Sequence, residues 1–494
     1  MSTPSPRLAL GPLLGLEHPL TYTVLFVTNT PVTVAEVRIN QGVASATPIA
    51  TEHGHQVWRA EWPVQQSQQA TALDYSVWLD GVQAQGVDRQ QQWSVECPGL
   101  QDNPRMVYAS CNGFSDPTLM KNVALPFGLW STLKTRQDTQ AFHLLLMGGD
   151  QVYADSVWAN QPALRNWGSK NRADQVKAKL SASELNAVDK AFLQLYLERW
   201  SQPDTANLLA RIPQIMMWDD HDIIDGWGSY SPEFQQCPVM QQVFSVAAKY
   251  FDLFQLRGKG HNTNLIAPGS PHRSLSLTLN GTTILALDHR TERTLDQIMS
   301  PGHWGDFIAK LDSCAVGDLL VLSAVPVVYR DFAAAESVLD LTPSNEELTD
   351  DLKDHWRAKK HQGERARFIM RLLNNARARH GRTVILSGDV HVGCLGVIRD
   401  NSAGQVVNVH QVVSSGIVHP APNPFQWAGI LAITNDRQET LDENGQVCAR
   451  MLTPFGSDTY LRTRNFATLE QGNDGKLWVN WVCENGDQPH YPLS

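Results

Sequence analysis

Residues 142–153 read FHLLLMGGDQVY. The largely apolar run FHLLLM has the length of a buried strand, and the Gly-Gly pair stops it with a turn. That turn delivers Asp150, and three residues later Tyr153, just beyond the strand end. The same arrangement recurs elsewhere in the chain. MVYA at 106–109 runs into Ser110-Cys111-Asn112, IMMW at 215–218 into Asp219-Asp220-His221-Asp222, and TVIL at 383–386 into Ser387-Gly388-Asp389-Val390-His391. In open α/β sheets, sites assemble in the crevice beyond the carboxyl ends of the strands. These strand ends therefore converge on one crevice if they share a layered α/β domain.

The segments between them support such a domain. Ser181-x-x-Glu184 is a capping-box signature, opening a helix with Leu185, Val188, Phe192 and Leu195 on one face. Residues 364–380 form a second amphipathic pattern, with Phe368, Leu372 and Leu373 inward. Strand–helix alternation over residues 105–425 predicts an α/β domain. Ahead of it, 21–26, 32–39, 56–62, 73–79 and 92–95 alternate as short strands separated by turn signals such as Asp80-Gly81. Residues 1–100 thus read as an immunoglobulin- or fibronectin-like β-sandwich, and 97–104 (CPGLQDNP) as a linker. After about Pro420 the pattern is strand and turn. Residues 426–494, with a hairpin turn at 472–475, read as a strand-rich segment completing the catalytic domain.

Composition bounds the possibilities. The 494 residues are 42% hydrophobic and 18% charged, enough for sizeable cores in more than one domain. A net charge of −10 without Lys/Arg runs argues against a nucleic-acid-binding surface. Seven cysteines without CxxC pairs form neither a disulfide framework nor a structural zinc module. No apolar run is long enough for a membrane span, and the first 20 residues lack a signal-peptide pattern, so the expectation is a soluble cytoplasmic protein.

Each strand-end motif has a plain alternative. Gly-Gly-Asp is most often a turn, Asp219–Asp222 suits a solvated acidic loop, Asp389 suits a helix N-cap, and Cys111 suits an inert buried thiol. Together these readings must hold at every strand end at once. Gathering so many carboxylates in one crevice without cations is unfavourable, so bound metal is the more economical explanation.

The Gly-Asp-x-x-Tyr element at 149–153, the Asp-Asp-His-Asp loop at 219–222 and the Gly-Asp-x-His element at 388–391 resemble the alkaline phosphatase D (PhoD-like) family of the calcineurin-like phosphoesterase fold. Ala109-Ser110-Cys111 and Leu287-Asp288-x-Arg290 add to the likeness, which spans roughly residues 12–420. The resemblance implies a four-layer α/β/β/α catalytic domain behind the N-terminal β-sandwich. It implies one metal on Cys111, Asp150, Tyr153 and His391, and a second on bridging Asp150 with Asp220 and Asp389. Thiolate and phenolate donors suit Fe³⁺, while carboxylates alone suit Ca²⁺, Mn²⁺ or Mg²⁺. His221 is the expected general acid, with Asp219 or Asp222 orienting its ring, and Arg290 either contacts a substrate phosphate or pairs with Asp288 or Glu292. His272, His289 and His419 read as structural or surface residues. The implied activity is metal-dependent hydrolysis of small phosphate mono- or diesters. A partner-binding scaffold with a vestigial site, or a hydrolase of non-phosphate esters, are the competing readings.

Overall fold

The protein is described here from a computed structural model covering residues 5–494 except 30, 41, 332–353 and 403. Two sheets organise the chain. In the first, the adjacent parallel strands Met106–Ala109, Leu144–Gly148 and Gln214–Met217 carry three of the motif-bearing ends. In the second, Thr282–Ala286, Asp318–Leu322, Thr383–Ser387 and Val407–Val413 run parallel, with antiparallel strands at both flanks.

The pleat decides how the layers stack. Ile284, Ala286, Leu320, Leu322, Val384, Leu386 and Val412 belong to the core that holds Tyr108, Leu146 and Ile215 of the first sheet. Their neighbours Leu285, Leu319, Val321 and Ile385 pack instead against Phe307 and Leu311 of helix Pro301–Ser313 and Phe368, Leu372 and Leu373 of helix Gln362–Ala378. With period-two alternation, one face of the second sheet meets the first sheet and the other is covered by helices. Beside the first sheet, helix Gly128–Thr139 packs on helix Pro203–Arg211, which lies on strand Leu8–Glu17.

The N-terminal strands, read from the sequence as a β-sandwich, form one antiparallel ladder continuous with the first sheet. Strand Leu8–Glu17 joins it to the catalytic sheet, pairing in parallel at Gly15 with Gln214. A Cβ on Gly15 would sit 2.2 Å from Arg257 Nε, so glycine permits this junction. Buried Arg59 reinforces it by donating to Glu17 and the Arg257 carbonyl, and Tyr75 donates to the Ala210 carbonyl. Residues 1–100 are therefore welded to the catalytic unit by buried polar contacts that strand alternation alone does not reveal.

The C-terminal strands divide between the sheets. Val447–Met451 extends the second, while Asn465–Gln471, Leu477–Cys483 and His490–Leu493 extend the first. Between Pro420 and these strands lies helix Pro424–Ile433, where the strand-and-turn reading is corrected. Its start signal was in the sequence: Asn423 forms a capping box with Gln426, and Pro424 occupies the first turn. The stretches 154–174 and 229–261 are largely helical, including Asp155–Asn160, Pro162–Gly168 and Pro238–Tyr250.

Candidate metal centre

The strand ends meet where the two sheets face each other. Gly388 lets them close: a Cβ there would lie 2.3 Å from Ser110 Oγ. Backbone bonds then lock the loops together. Cys111 donates to the Gly149 carbonyl and Asn112 to the Asp150 carbonyl, while Ile417 and His419 donate to the Ser110 and Cys111 carbonyls. Cys111, Asp150, Tyr153, Asp389 and His391 all have positive φ, between 53° and 68°. Such backbone is uncommon outside glycine, and it costs about 1–3 kcal/mol per residue unless the surroundings enforce it. Its concentration here re-aims five side chains towards one point.

That point is built from mutually close donors. Cys111 Sγ lies 3.5 Å and Tyr153 OH 3.4 Å from Asp150 Oδ2, and Tyr153 OH lies 3.4 Å from His391 Nε2. Cys111, Asp150 and His391 each present a ligand atom within 4.8 Å of the others. Asp219, Asp220 and Asp389 make a second such group, and Asp150, Asp220 and His221 bridge the two. Among the described residues, buried Asp150 Oδ1 accepts no hydrogen bond, and neither does Asp220 Oδ1, from which an Arg290 nitrogen stands 3.4 Å away. Buried carboxylate oxygens are ordinarily satisfied. These two, with thiol, phenol and imidazole donors alongside, fit metal ligation.

The electrostatics agree. Burial, then neighbouring carboxylates, push Asp389 well above the usual range; burial does the same to Asp150 despite the pull of His221. Burial and the adjacent acids push the Cys111 thiol and Tyr153 phenol up, and burial with His419 and His221 holds His391 down. Without cations the centre favours neutral ligands; with cations the charged forms are stabilised.

All six expected ligands converge here, together with His221. The expected orientation of His221 is corrected, because its Nδ1 lies 3.0 Å from both oxygens of Asp155 at the start of the following helix. Burial pulls the imidazole down, but Asp155, Asp225 and Asp220 outweigh it, so His221 holds its proton well above the ordinary range. The Tyr153 ring stacks on it at 4.5 Å. Asp222 turns elsewhere: it accepts from the backbone of Gln151 and Val152 at 2.9 and 3.2 Å and from that of Asp219 at 3.0 Å, fixing both ligand loops. Burial pushes it up to about 6 against those backbone donors.

Arg290 is also corrected. Its guanidinium is fully buried and donates to Asp219, to both oxygens of Asp354 at 2.6 Å and to the Trp227 carbonyl at 2.8 Å. These carboxylates occupy the donors that a substrate phosphate would need. Asp219, pushed by burial up to about 7 against the pull of Arg290, is held by this contact. Asp288 is buried as well and accepts from Trp218 at 2.8 Å.

Sequence reading missed Asp155, Asp354, Ser415 and His419. Ser415 Oγ lies 3.0 Å from Cys111 Sγ and accepts from the His391 backbone. The His419 ring stacks on His391 at 3.6 Å, and its Nε2 lies 3.2 Å from Ser115 Oγ. Both follow the apolar run VNVHQVV, which ends in Ser414-Ser415-Gly416 and so obeys the rule used for the other strand ends.

A family model described as PhoD related phosphatase matches residues 97–346 and 341–460. An uncharacterized protein of Saccharomyces cerevisiae, YGR266W, is 28% identical over 368 residues, covering 61% of this chain and 52% of its own length. The chain thus spans about half the length of that curated relative. The solved structure of PhoD superposes with a TM-score of 0.58 at 13% identity, covering 100% of this chain and 93% of its own. A purple acid phosphatase from yellow lupin seeds gives a TM-score of 0.49 at 11% identity, covering 98% and 74%. No helix among the described residues is long and apolar enough to cross a membrane.

Proposed function

The chain belongs to the PhoD related phosphatase family, and from that premise we propose that it is a two-metal phosphoesterase acting on small phosphate esters. The observation that carries this reading is the convergence of Cys111, Asp150, Tyr153 and His391 with Asp220 and Asp389, around buried carboxylate oxygens that accept no hydrogen bond among the described residues. Cys111, Asp150, Tyr153 and His391 would hold Fe³⁺, and Asp150, Asp220 and Asp389 a hard divalent cation, Ca²⁺, Mn²⁺ or Mg²⁺. When bound, such a pair supplies Lewis-acid charge for activating water and neutralising phosphoryl oxygens.

The chain's own residues do the rest. His221 keeps a proton for the leaving oxygen while Asp155 fixes its Nδ1 and Tyr153 supports its ring face. Asp222 ties the Asp150 loop to the Asp219–Asp220 loop, so the two ligand sets keep their register. Arg290 holds Asp219 and Asp354 in place, and its role is positioning.

The test is a panel of p-nitrophenyl phosphate, bis-p-nitrophenyl phosphate and p-nitrophenyl acetate, each with and without chelator. Chelator-sensitive turnover of a phosphate ester, with acetate untouched, is expected. Turnover of acetate alone would make the protein a different ester hydrolase, and no turnover at any metal loading would overturn the enzyme reading.

A further inference from the structure

His221 has one ring nitrogen left for the substrate. Its Nδ1 lies 3.0 Å from both oxygens of Asp155, so a proton for the leaving oxygen comes from Nε2. That nitrogen faces a second carboxylate: Asp225 Oδ1 stands 3.8 Å from it, beyond hydrogen-bond length. A leaving oxygen within about 2.6–3.2 Å of Nε2 is therefore no more than about 7 Å from Asp225 Oδ1. A substituent about two or three bonds from that oxygen comes within direct charge range of the carboxylate. The Asp225 side chain is 38% exposed, against 14% for Asp155 and 12% for His221. Of the three groups it stands at the opening, where a substrate substituent reaches it.

The loop that carries Asp225 is held on both sides. Trp158, on the helix that opens with Asp155, donates to the Ile223 carbonyl at 2.9 Å, and Tyr230 donates to the carbonyl of Asp225 itself. The rings of Trp158, Trp167, Phe234 and Tyr230 contact in series, with centroids 5.8, 5.4 and 5.3 Å apart. One aromatic cluster thus fixes Asp155 and Asp225 about His221, and the outer carboxylate is a set feature of the site. The other charges nearby do not reverse its sign. Asp220 acts on the imidazole together with Asp155 and Asp225, while burial holds His391 and His419 neutral. Arg290 is committed to Asp219 and Asp354, and Arg199 acts on Tyr153, Glu198 and Asp155, on the Nδ1 side of the ring. We propose that Asp225 is a specificity-determining residue bordering the leaving group. It selects phosphate monoesters of neutral or amine-bearing alcohols over those whose leaving group carries a second anion. This inference rests on the phosphoesterase reading.

The experiment compares kcat/KM of the metal-loaded full chain for three phosphate monoesters of similar size: 2-aminoethyl, ethyl and carboxymethyl phosphate. Wild type should prefer the aminoethyl to the carboxymethyl ester, with the ethyl ester between them. Asp225→Asn should shrink that preference by on the order of tenfold, and Asp225→Lys should reverse it. All three esters use His221, so the ratio cancels any change in proton donation. Asp155→Asn, which perturbs His221 from the Nδ1 side, should slow the three about equally. The wild-type preference should also narrow as salt rises, because a part-exposed charge is screened, and this reading needs no variant to fold. Equal losses on all three esters in the Asp225 variants overturn the proposal and leave the phosphoesterase reading standing. A wild type that takes the carboxymethyl ester as readily as the aminoethyl one does the same, as does a preference that salt leaves unchanged. Absence of turnover on every phosphate ester removes both.

Discussion

Replacing Arg290 with methionine separates the two roles a buried arginine beside a phosphatase site can have. The side chain keeps its length but loses the charge that faces Asp219, Asp354 and, at 3.4 Å, Asp220. Removing one member of a buried ion pair leaves the other charge uncompensated, at a cost of about 3–5 kcal/mol. For a chain of 494 residues that lowers Tm by roughly 3–5 °C. Burial pushes Asp354 up, but Arg290 and Arg293 outweigh it and hold its carboxyl below the usual range. A depressed carboxyl gives stability that is present above its unfolded value, about 4, and is lost as pH falls through the folded one. The deficit of Arg290→Met should therefore be largest at alkaline pH. It should narrow as pH falls towards about 7, because Asp219 without the pull of Arg290 takes up its proton above that value, and narrow again under acid. Calorimetry at pH 5 and pH 8, with KM for p-nitrophenyl phosphate, decides the matter. An unchanged Tm with a raised KM would refute the positioning role and return Arg290 to the substrate.

Three further outcomes follow from the geometry. Gly388→Ala places a Cβ 2.3 Å from Ser110 Oγ, and should cost about 1–3 kcal/mol in unfolding by denaturant while weakening metal retention; unchanged values would show that the sheets have slack there. Asp155→Asn removes the carboxylate that raises and orients His221, so kcat should fall about 10–100-fold and its alkaline limb move to lower pH; an unmoved limb would free His221 from Asp155. If iron occupies the Cys111 side, the concentrated protein should be coloured, and Tyr153→Phe should shift or bleach the visible band; a spectrum unchanged by the substitution would remove the phenolate from the ligand set.

The centre was largely legible because ligand chemistry is local: a strand, a turn and a polar side chain lie within a few consecutive residues, and strand ends converge by topology. Asp155 escaped because an aspartate at the start of a helix reads as a first-turn acid, and only the fold brings His221 to it from 66 positions away. Asp354 lies 64 residues from Arg290 without any periodic signal, whereas Arg290 beside Asp288 and Glu292 invites a local pairing. His419 was recoverable, since VNVHQVV followed by Ser-Ser-Gly repeats the pattern at residues 142–149. In the fold, alternation identified the N-terminal strands, but it does not encode how a ladder closes. The pair Gly15–Gln214 and the donation from buried Arg59 to the Arg257 carbonyl fuse it to the catalytic unit. Helix Pro424–Ile433 was hidden because an all-apolar run has no helical period to read.

Two metals held in common by Asp150 would make metal content depend on that carboxylate, and elemental analysis of purified wild type beside Asp150→Asn tests this most directly. About two metal ions per wild-type chain are expected, with both depleted in the variant because each depends on that carboxylate. A folded wild type without bound metal, or an Asp150→Asn chain that retains both ions, would contradict it.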